Sequence, residues 1–255
     1  MKTFLLLGGS ILFACLQGAK SLAASRGEYL SLDDLKSVLR ELASNGVSKE
    51  SMLGNRLDLN LDRTRIGISR IENAGRGLFA KADCQKGDLL TCYPGDIVLR
   101  DLDNDFAENQ GGGDNWVWGS HVQESDFLEE DEIQKFMIGY ILQVTDDVAI
   151  LGLPTLDENI AYAGHFANDG GRPPKRESQI AAYVLESNDL SNAMHISVED
   201  CHMATVATRD IKKDEEILVT YGPDYWMEQP SWTDDLDGPE EAGMEIRKGT
   251  GKGFG

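Results

Sequence analysis

The spacing of apolar residues first becomes regular just after residue 30. Ser31-Leu-Asp-Asp34 opens this stretch, Asn45-Gly46 closes it, and the apolar positions between them are Leu32, Leu35, Val38, Leu39 and Leu42. Gaps of three and four residues are typical of an amphipathic helix, and Ser31 can cap its N-terminus. The spacing therefore predicts a helix of about three turns, which we expect to pack on the domain that follows.

From residue 65 to about residue 226, the pattern changes to short β-favouring runs separated by glycine and acidic turns. The predicted strands are residues 66–71, 77–80, 89–93, 138–144, 203–208 and 216–221. An acidic, glycine-bearing insert occupies about residues 100–135, and such a composition is typical of surface loops or short helices. We therefore predict one mainly β domain over residues 65–228, made of several small sheets with short helices.

The two ends of the chain differ from this domain in composition. In residues 1–24, Lys2 precedes an apolar core at residues 4–16, and small residues that suit a signal peptidase follow at residues 21–23. The core is too short for a permanent membrane span, and glycines interrupt it. We expect a cleaved targeting segment that enters the secretory route, or the first step of import into a complex plastid, rather than the nucleus. A buried N-terminal helix is the alternative.

Two further segments complete the predicted domain organisation. Residues 25–64 hold the amphipathic helix and a linker. Residues 229–255 are acidic and then glycine-rich, a composition that predicts a disordered tail.

The charge balance narrows the possible partners. With 24 basic and 44 acidic residues, the formal net charge is −20. Direct nucleic-acid binding needs a basic face for the phosphates, so it is not expected. A basic peptide or protein suits this surface better. The alternative interpretation is that the acidic excess only keeps the protein soluble.

Cysteine usage indicates neither a disulfide framework nor a zinc site. Removal of residues 1–24 leaves Cys84, Cys92 and Cys201, an odd and widely spaced set. Buried structural thiols are the expectation. His165, Cys201 and His202 form no recognised ligand set either, so no metal is predicted.

A glycine-rich stretch, Asn73-Ala-Gly-Arg-Gly-Leu-Phe-Ala80, matches the fingerprint of a dinucleotide-binding loop, and Asp96 lies where a ribose ligand would follow. That loop functions only at the start of a helix, whose N-terminal amides hold the phosphate. Residues 81–88 instead form a turn-rich stretch, and residues 89–93 are a β-favouring run. The local sequence therefore predicts a β-meander, in which both glycines could simply form a tight turn.

Three separated stretches share their order and spacing with one enzyme family. The first is Gly75-Arg-Gly-Leu-Phe79, followed by Cys84-Gln-Lys-Gly-Asp88 and Tyr93-Pro-Gly-Asp96. The second is His165-Phe-Ala-Asn-Asp-Gly170, with Asn192-Ala193 as its later half. The third comprises Val206-Ala-Thr-Arg-Asp-Ile211 and Asp214-Glu-Glu-Ile-Leu-Val-Thr-Tyr-Gly222. Together they cover about residues 65–226, and they resemble the SET-domain protein lysine methyltransferases.

The resemblance implies a SET-like β-clip fold of several small sheets, with a knot-like crossing near the active site. It also implies S-adenosyl-L-methionine as the methyl donor, no metal, and a lysine-containing protein substrate. The donor would bind on one face, and the lysine would enter through a narrow channel from the other. Methyl transfer is a displacement at a sulfonium methyl, so positioning nitrogen, carbon and sulfur in line is the main task. We expect a monomer.

Carried over position by position, the resemblance implies a set of site residues. The cofactor contacts would be Gly75, Arg76, Gly77, Asn168, Asp169 and Tyr221. Tyr221 would also be catalytic, with its hydroxyl orienting the lysine and stabilising the transition state. Tyr225 and Trp226 would form walls of the lysine channel. Each has a plainer alternative, in which the glycines and Asn168 form turns and the aromatic residues pack in the core.

Chemistry at these positions follows from the residue types. Without side chains, Gly75 and Gly77 would let the backbone approach the cofactor. Asn168 offers a carbonyl acceptor and an amide donor to the ammonium and carboxylate of the cofactor's methionine part. A nearby sulfonium and an apolar channel disfavour the ammonium form of the lysine, so no dedicated base and none of the histidines is needed.

The sequence departs from the family pattern in the second motif. Asp169 and Gly170 replace a His and a Ser, and about twenty residues, 171–190, are inserted before the later half of the motif. The cysteine-rich zinc elements that flank many histone-directed members are absent. A catalytically silent SET-like module that binds a peptide or the cofactor is therefore the second hypothesis. An acidic structural or interaction protein is a third, but it leaves the three motifs unexplained.

Overall fold

The computed structural model describes residues 29–100, 116–123 and 126–227. The predictions for residues 1–24 and 229–255, and for residues 101–115 and 124–125 of the acidic insert, concern residues outside these ranges. Inside them the fold is mainly β, in several small sheets with a few short helices, as predicted. None of the helices in these ranges combines the length and the apolar character of a membrane span.

Two helices precede the strands, and further helices lie between and after them. The helices are α1 Leu32–Ser44, α2 Lys49–Leu53, α3 Glu130–Tyr140, α4 Ile180–Leu190 and α5 Pro223–Met227. The strands are β1 Thr64–Ile68, β2 Arg76–Ala80, β3 Leu89–Tyr93, β4 Ile97–Arg100, β5 Trp116–Trp118, β6 Ile141–Thr145, β7 Val148–Leu151, β8 Asn168–Asp169, β9 Ala193–Val198, β10 His202–Ala207 and β11 Glu216–Val219.

The predicted amphipathic helix is confirmed as α1. The Ser31 side chain accepts a hydrogen bond from the Asp34 N–H, and Asp34 returns the contact in a capping box. The buried face consists of Leu35, Val38, Leu39 and Leu42. This face joins a core with residues of β3 and β10, so the helix packs on the β domain as expected.

One sheet brings the three motifs side by side. Its strand order is β1-β2-β11-β8, so β2 carries the first motif, β8 the second and β11 the third. Ile217 pairs with Leu78 in the antiparallel β11–β2 ladder. Leu218 pairs with Asn168 in the parallel β11–β8 ladder. Residues far apart in sequence thus become neighbours. The predicted knot-like crossing stays a prediction.

The predicted strand at residues 138–144 was wrong in its first part. Residues 138–140 end helix α3, and β6 begins only at Ile141. The backbone N–H of Glu129 donates to the Glu132 carboxylate in a capping box that starts this helix in the acidic stretch. Phe136 and Tyr140 lie one helical turn apart and pack against one hydrophobic core. This packing continues the helix as far as Tyr140. Strands β4, β5, β7, β8 and β9 were also not predicted.

The predicted burial of the cysteines is confirmed. Cys84, Cys92 and Cys201 are buried free thiols. Burial raises the pKa of the Cys92 thiol to about 12 and that of Cys201 to about 11. These thiols are therefore protonated at neutral pH and poor nucleophiles.

Candidate active site

Two cavities adjoin each other beside the sheet that carries the three motifs. The larger has a volume of about 400 Å³, and the smaller about 90 Å³. Both are lined by Gly139, His165, Tyr221 and Tyr225, which therefore form the wall between them. The larger volume lies within the range of about 300–1,000 Å³ that is usual for small-ligand pockets.

Tyr221 follows β11 and is held at two points. Its backbone N–H donates to Asp169 Oδ2 at 2.9 Å, and its hydroxyl donates to the Ala167 carbonyl at 3.0 Å. Burial, and then the nearby Tyr225 and Asp169, raise the pKa of the Tyr221 phenol well above its usual value. The hydroxyl is therefore a fixed dipole and not a base. Asn168 lines the larger cavity with Tyr221, so the fold brings these two expected cofactor contacts to one cavity.

The amide of Asn168 faces inward. Its nitrogen donates to the Arg76 carbonyl at 2.9 Å and lies 3.5 Å from Glu216 Oε1. Both amide hydrogens are thereby directed into the protein, and the oxygen is left to meet a ligand. The role of Asn168 as donor and acceptor towards a cofactor stays a prediction.

Glu216 is a buried carboxylate that sequence reasoning gave no role. It accepts from the Ser69 hydroxyl at 2.6 Å and from the Arg70 N–H at 2.7 Å. These bonds anchor the β1–β2 loop, whose residues 71–74 line the larger cavity. The only sequence signal for Glu216 is its place in the third motif.

The glycines of the first motif have structural reasons of their own. Gly75 has φ of +69°, a left-handed conformation that favours glycine. A Cβ on Gly77 would collide with Glu216 Oε1 and lie 3.2 Å from Asn168 Nδ2. Gly77 thus gives room to a side chain of the protein itself. Direct contact of either glycine with a cofactor stays a prediction.

Arg76, between the two glycines, does line the larger cavity. Its guanidinium pairs with Asp157 at 2.6 Å, also donates to the Pro154 carbonyl, and lies 4.5 Å from the centre of the Phe166 ring. The charged group therefore ties β2 to the loop at residues 154–157. Its predicted role in cofactor binding is not tested by these contacts.

Asp169 turns its side chain away from the sheet towards the inserted helix α4. The carboxylate accepts from the hydroxyls of Tyr183 and Ser187 as well as from the Tyr221 N–H. The expected contact of Asp169 with the cofactor stays a prediction.

The two aromatic residues of α5 lie where the resemblance implies cavity walls. Tyr225 lines both cavities, whereas Trp226 lines only the larger. Their rings lie 4.7 Å and 5.8 Å, respectively, from the ring of Tyr221. The expected role of both residues as walls of a lysine channel stays a prediction.

His165 was not expected to matter. It is 4% exposed, and neither ring nitrogen finds a hydrogen-bond partner within the part of the chain that the structure describes. Burial lowers its pKa to about 3, so the ring is neutral at physiological pH. A neutral imidazole in the wall between the cavities offers one donor and one acceptor to a ligand. Tyr140, beside it, was likewise missed because it was assigned to a strand.

Comparison with known proteins agrees with the three motifs. The family model described as the SET domain matches residues 75–222, more than half of the 255-residue chain. The chain therefore belongs to the SET-domain family. A search of curated proteins finds no match.

Two solved structures illustrate the similarity, which is distant in both. One is "ctPRC2 in an autoinhibited conformation bound to S-adenosylmethionine", at 16% identity and a TM-score of 0.37, over 69% of this chain and 16% of that chain. Another is a humanized mutant of the Chaetomium thermophilum Polycomb Repressive Complex 2 bound to the inhibitor GSK126, at 15% identity and a TM-score of 0.36. It is matched over 68% of this chain and 16% of its own.

Proposed function

We propose that this chain transfers a methyl group from S-adenosylmethionine to the side-chain amine of a lysine in a protein substrate. The observation that carries the proposal is the meeting of a large and a narrow cavity at the hydroxyl-bearing side chain of Tyr221. A donor and an acceptor that enter from different sides need such a common wall. In the proposed domain organisation, the SET-like domain occupies residues 65–228. The targeting segment and the N-terminal helix with its linker precede it, and the acidic tail follows it.

The larger cavity fits the donor in volume and in lining. Asn168 presents its amide oxygen, the kind of group that an ammonium needs. Phe166 and Trp226 contribute aromatic surface, which suits both an adenine ring and a cation. The nearby buried carboxylates of Asp169 and Glu216 also favour a cationic ligand. When bound, S-adenosylmethionine would supply a methyl group activated by its sulfonium.

The smaller cavity suits an unbranched, mostly apolar side chain. Its walls include Tyr93, Leu142 and Tyr225. In such surroundings burial disfavours a charged ammonium, so the lysine would react as the neutral amine. His165 and His195 add no positive charge there, because burial lowers their pKa values to about 3 and about 4. These walls bind and orient the amine, and they exclude water from it.

Tyr221 would act through position and not through proton transfer. Its N–H and O–H are both fixed on residues 167–169, so the hydroxyl dipole is oriented before any ligand arrives. A preorganised dipole of this kind stabilises charge rearrangement without reorganisation during the reaction. The acidic surface, with its net charge of −20, would favour encounter with a basic, lysine-rich partner.

Incubation of the purified protein with methyl-labelled donor and a mixture of lysine-containing proteins tests the proposal. We expect label on lysine side chains, together with donor binding measured by calorimetry. Donor binding without transfer to any substrate offered, including proteins from its own compartment, would favour the silent module. Absence of donor binding would contradict the proposal and would leave only a silent module that binds a peptide.

A further inference from the structure

Two of the departures from the family pattern, Asp169 and the insert at residues 171–190, meet at one carboxylate. Tyr183 and Ser187 of helix α4 both donate to Asp169, Ser187 at 2.7 Å. The Gly171 N–H donates to the same group at 2.8 Å, and the Tyr221 N–H at 2.9 Å. Asp169 therefore joins the inserted helix to the residue that lies between the two cavities.

The burial and spacing of these groups indicate that the hydrogen bonds to Asp169 form a specific, buried network. Asp169 is 5% exposed, Tyr183 2% and Ser187 0%. Tyr183 and Ser187 are four residues apart, so they lie on one face of α4 and present two hydroxyls to one acceptor. Four donors satisfy a carboxylate that would otherwise be costly to bury. A neutral imidazole at residue 169 could accept at only one nitrogen, so the change from His to Asp is matched to the inserted helix.

Helix α4 also supports the aromatic wall. The ring of Tyr183 lies edge-on to Trp226, 6.5 Å between centres, and Trp226 stacks on Tyr221. Neither Tyr183 nor Ser187 lines the larger cavity. The helix can therefore influence Tyr221 without touching a ligand in that cavity.

We propose that Tyr183 and Ser187 are positioning residues for Tyr221, and that the inserted helix, acting through Asp169, sets the rate of methyl transfer more than the affinity for the donor. The inference rests on the proposed function. Misplacement of a catalytic group by about 1 Å can slow a reaction by about 100-fold, even when the cause lies outside the reacting atoms. On this basis the altered second motif is compensated within the chain and does not indicate a silent module.

Tyr183→Phe tests the proposal, since it removes one hydroxyl and keeps the ring. We expect single-turnover methyl transfer to slow about 10-fold, with donor affinity by calorimetry unchanged within about twofold. Exchange of the Tyr221 amide hydrogen, followed by NMR, should become faster because its acceptor is less fixed. Tyr162→Phe is the matched control. It removes a hydroxyl that is equally buried but bonded to Leu57 and His202, and it should change neither reading.

A double variant separates positioning from general destabilisation. If Tyr183 acts through the Tyr221 hydroxyl, Tyr183→Phe should slow transfer far less when Tyr221 is already Phe. If Tyr183→Phe slows transfer as much in the Tyr221→Phe background as in the wild type, the proposal is overturned. A Tyr183→Phe protein that equals the wild type in both the transfer rate and the exchange of the Tyr221 amide would also overturn it. If Tyr183→Phe fails to fold, Ser187→Ala gives a second, smaller perturbation of the same carboxylate. The transfer rate and the exchange of the Tyr221 amide then test the proposal in that variant.

Failure of the proposed function can be told apart from failure of this inference. A wild type that methylates nothing would remove the proposed function. Amide exchange at Tyr221 would then decide alone whether the inserted helix holds this residue. Faster exchange in Tyr183→Phe, but not in Tyr162→Phe, would support the positioning contact, and equal exchange would overturn it.

Discussion

Tyr162 and Tyr221 are tyrosines in two different regions of the molecule, and their surroundings differ in a way that separates core from site. Tyr162 lies under the N-terminal helices, 2% exposed, in a core that includes the apolar face of α1. Its hydroxyl accepts from the Leu57 N–H at 2.7 Å and lies 3.0 Å from His202 Nε2. Tyr221 is only half-buried and forms part of the wall between two cavities.

The histidine in each region shows the same contrast more sharply. His202 and His165 are almost equally buried, at 3% and 4% exposure. His202 engages both nitrogens, on Tyr162 and on the Cys201 carbonyl, whereas His165 engages neither within the described ranges. An unsatisfied buried polar group costs about 1–3 kcal/mol. An unpaired imidazole beside a cavity is a place where a ligand can supply the partner.

The largest effect that would test this contrast is expected from Tyr221→Phe. Loss of the hydroxyl should slow single-turnover methyl transfer by about 100-fold or more, while donor affinity by calorimetry stays nearly unchanged. Tyr162→Phe, the same chemical change in the core, should lower the free energy of unfolding by about 1–3 kcal/mol and leave the rate intact. A stable Tyr221→Phe protein with full activity would remove Tyr221 from the mechanism.

The next effect concerns Glu216, which anchors the loop that lines the larger cavity. Glu216→Ala leaves the Ser69 hydroxyl and the Arg70 N–H without their acceptor. We expect the free energy of unfolding, measured with denaturant, to fall by about 2–3 kcal/mol. Donor affinity should fall as well, because residues 71–74 lose their support. Glu41→Ala, at an exposed position of α1, is the control and should be close to neutral. Donor binding equal to wild type in Glu216→Ala would show that this loop does not shape the donor site.

Gly77 should give a smaller effect of the same kind. Gly77→Ala places a Cβ against Glu216 Oε1, so the carboxylate must move from Ser69 and Arg70. We expect a loss of about 1–2 kcal/mol in the free energy of unfolding, within the range for overpacking, and weaker donor binding by calorimetry. Gly139→Ala is a control for unfolding alone, because a Cβ there meets nothing within 4 Å. Unchanged stability in Gly77→Ala would mean that Glu216 can shift without cost.

The sequence could predict the strands that carry the motifs because their signals are local. Glycine turns and short apolar runs bound β2, β3, β10 and β11, and the third motif ends at Tyr221. The contact between Gly77 and Glu216 has no local signal, since two strands must pair before it exists. Likewise, no rule of residue spacing predicts that Tyr183, Ser187 and Tyr221 all donate hydrogen bonds to one carboxylate. The bond from the Asn168 amide nitrogen to the Arg76 carbonyl also exists only when β8 and β2 lie in one sheet.

The smallest effect, and the one that sharpens the contrast between the two histidines, is a change in the pH dependence of stability. Burial lowers the pKa of His165 to about 3 and that of His202 to about 4, whereas an unfolded histidine titrates near about 6.5. As pH falls below about 6.5, the unfolded chain binds protons that the folded chain does not bind. The free energy of unfolding therefore falls on acidification.

One such histidine contributes a slope of about 1.4 kcal/mol per pH unit between about pH 6 and pH 4. His165→Leu and His202→Leu should each remove about that much of the slope, as measured by denaturant unfolding across this range. At about pH 7.5, where both rings are neutral in either state, the two variants should differ. His202→Leu loses two hydrogen bonds, and its free energy of unfolding should fall by about 1–3 kcal/mol. His165→Leu loses no hydrogen bond to any of the described residues. Equal losses at neutral pH would mean that His165 has partners in solution and that the contrast between core and site does not extend to it. An unchanged slope in His165→Leu would mean that this ring is not kept neutral by burial.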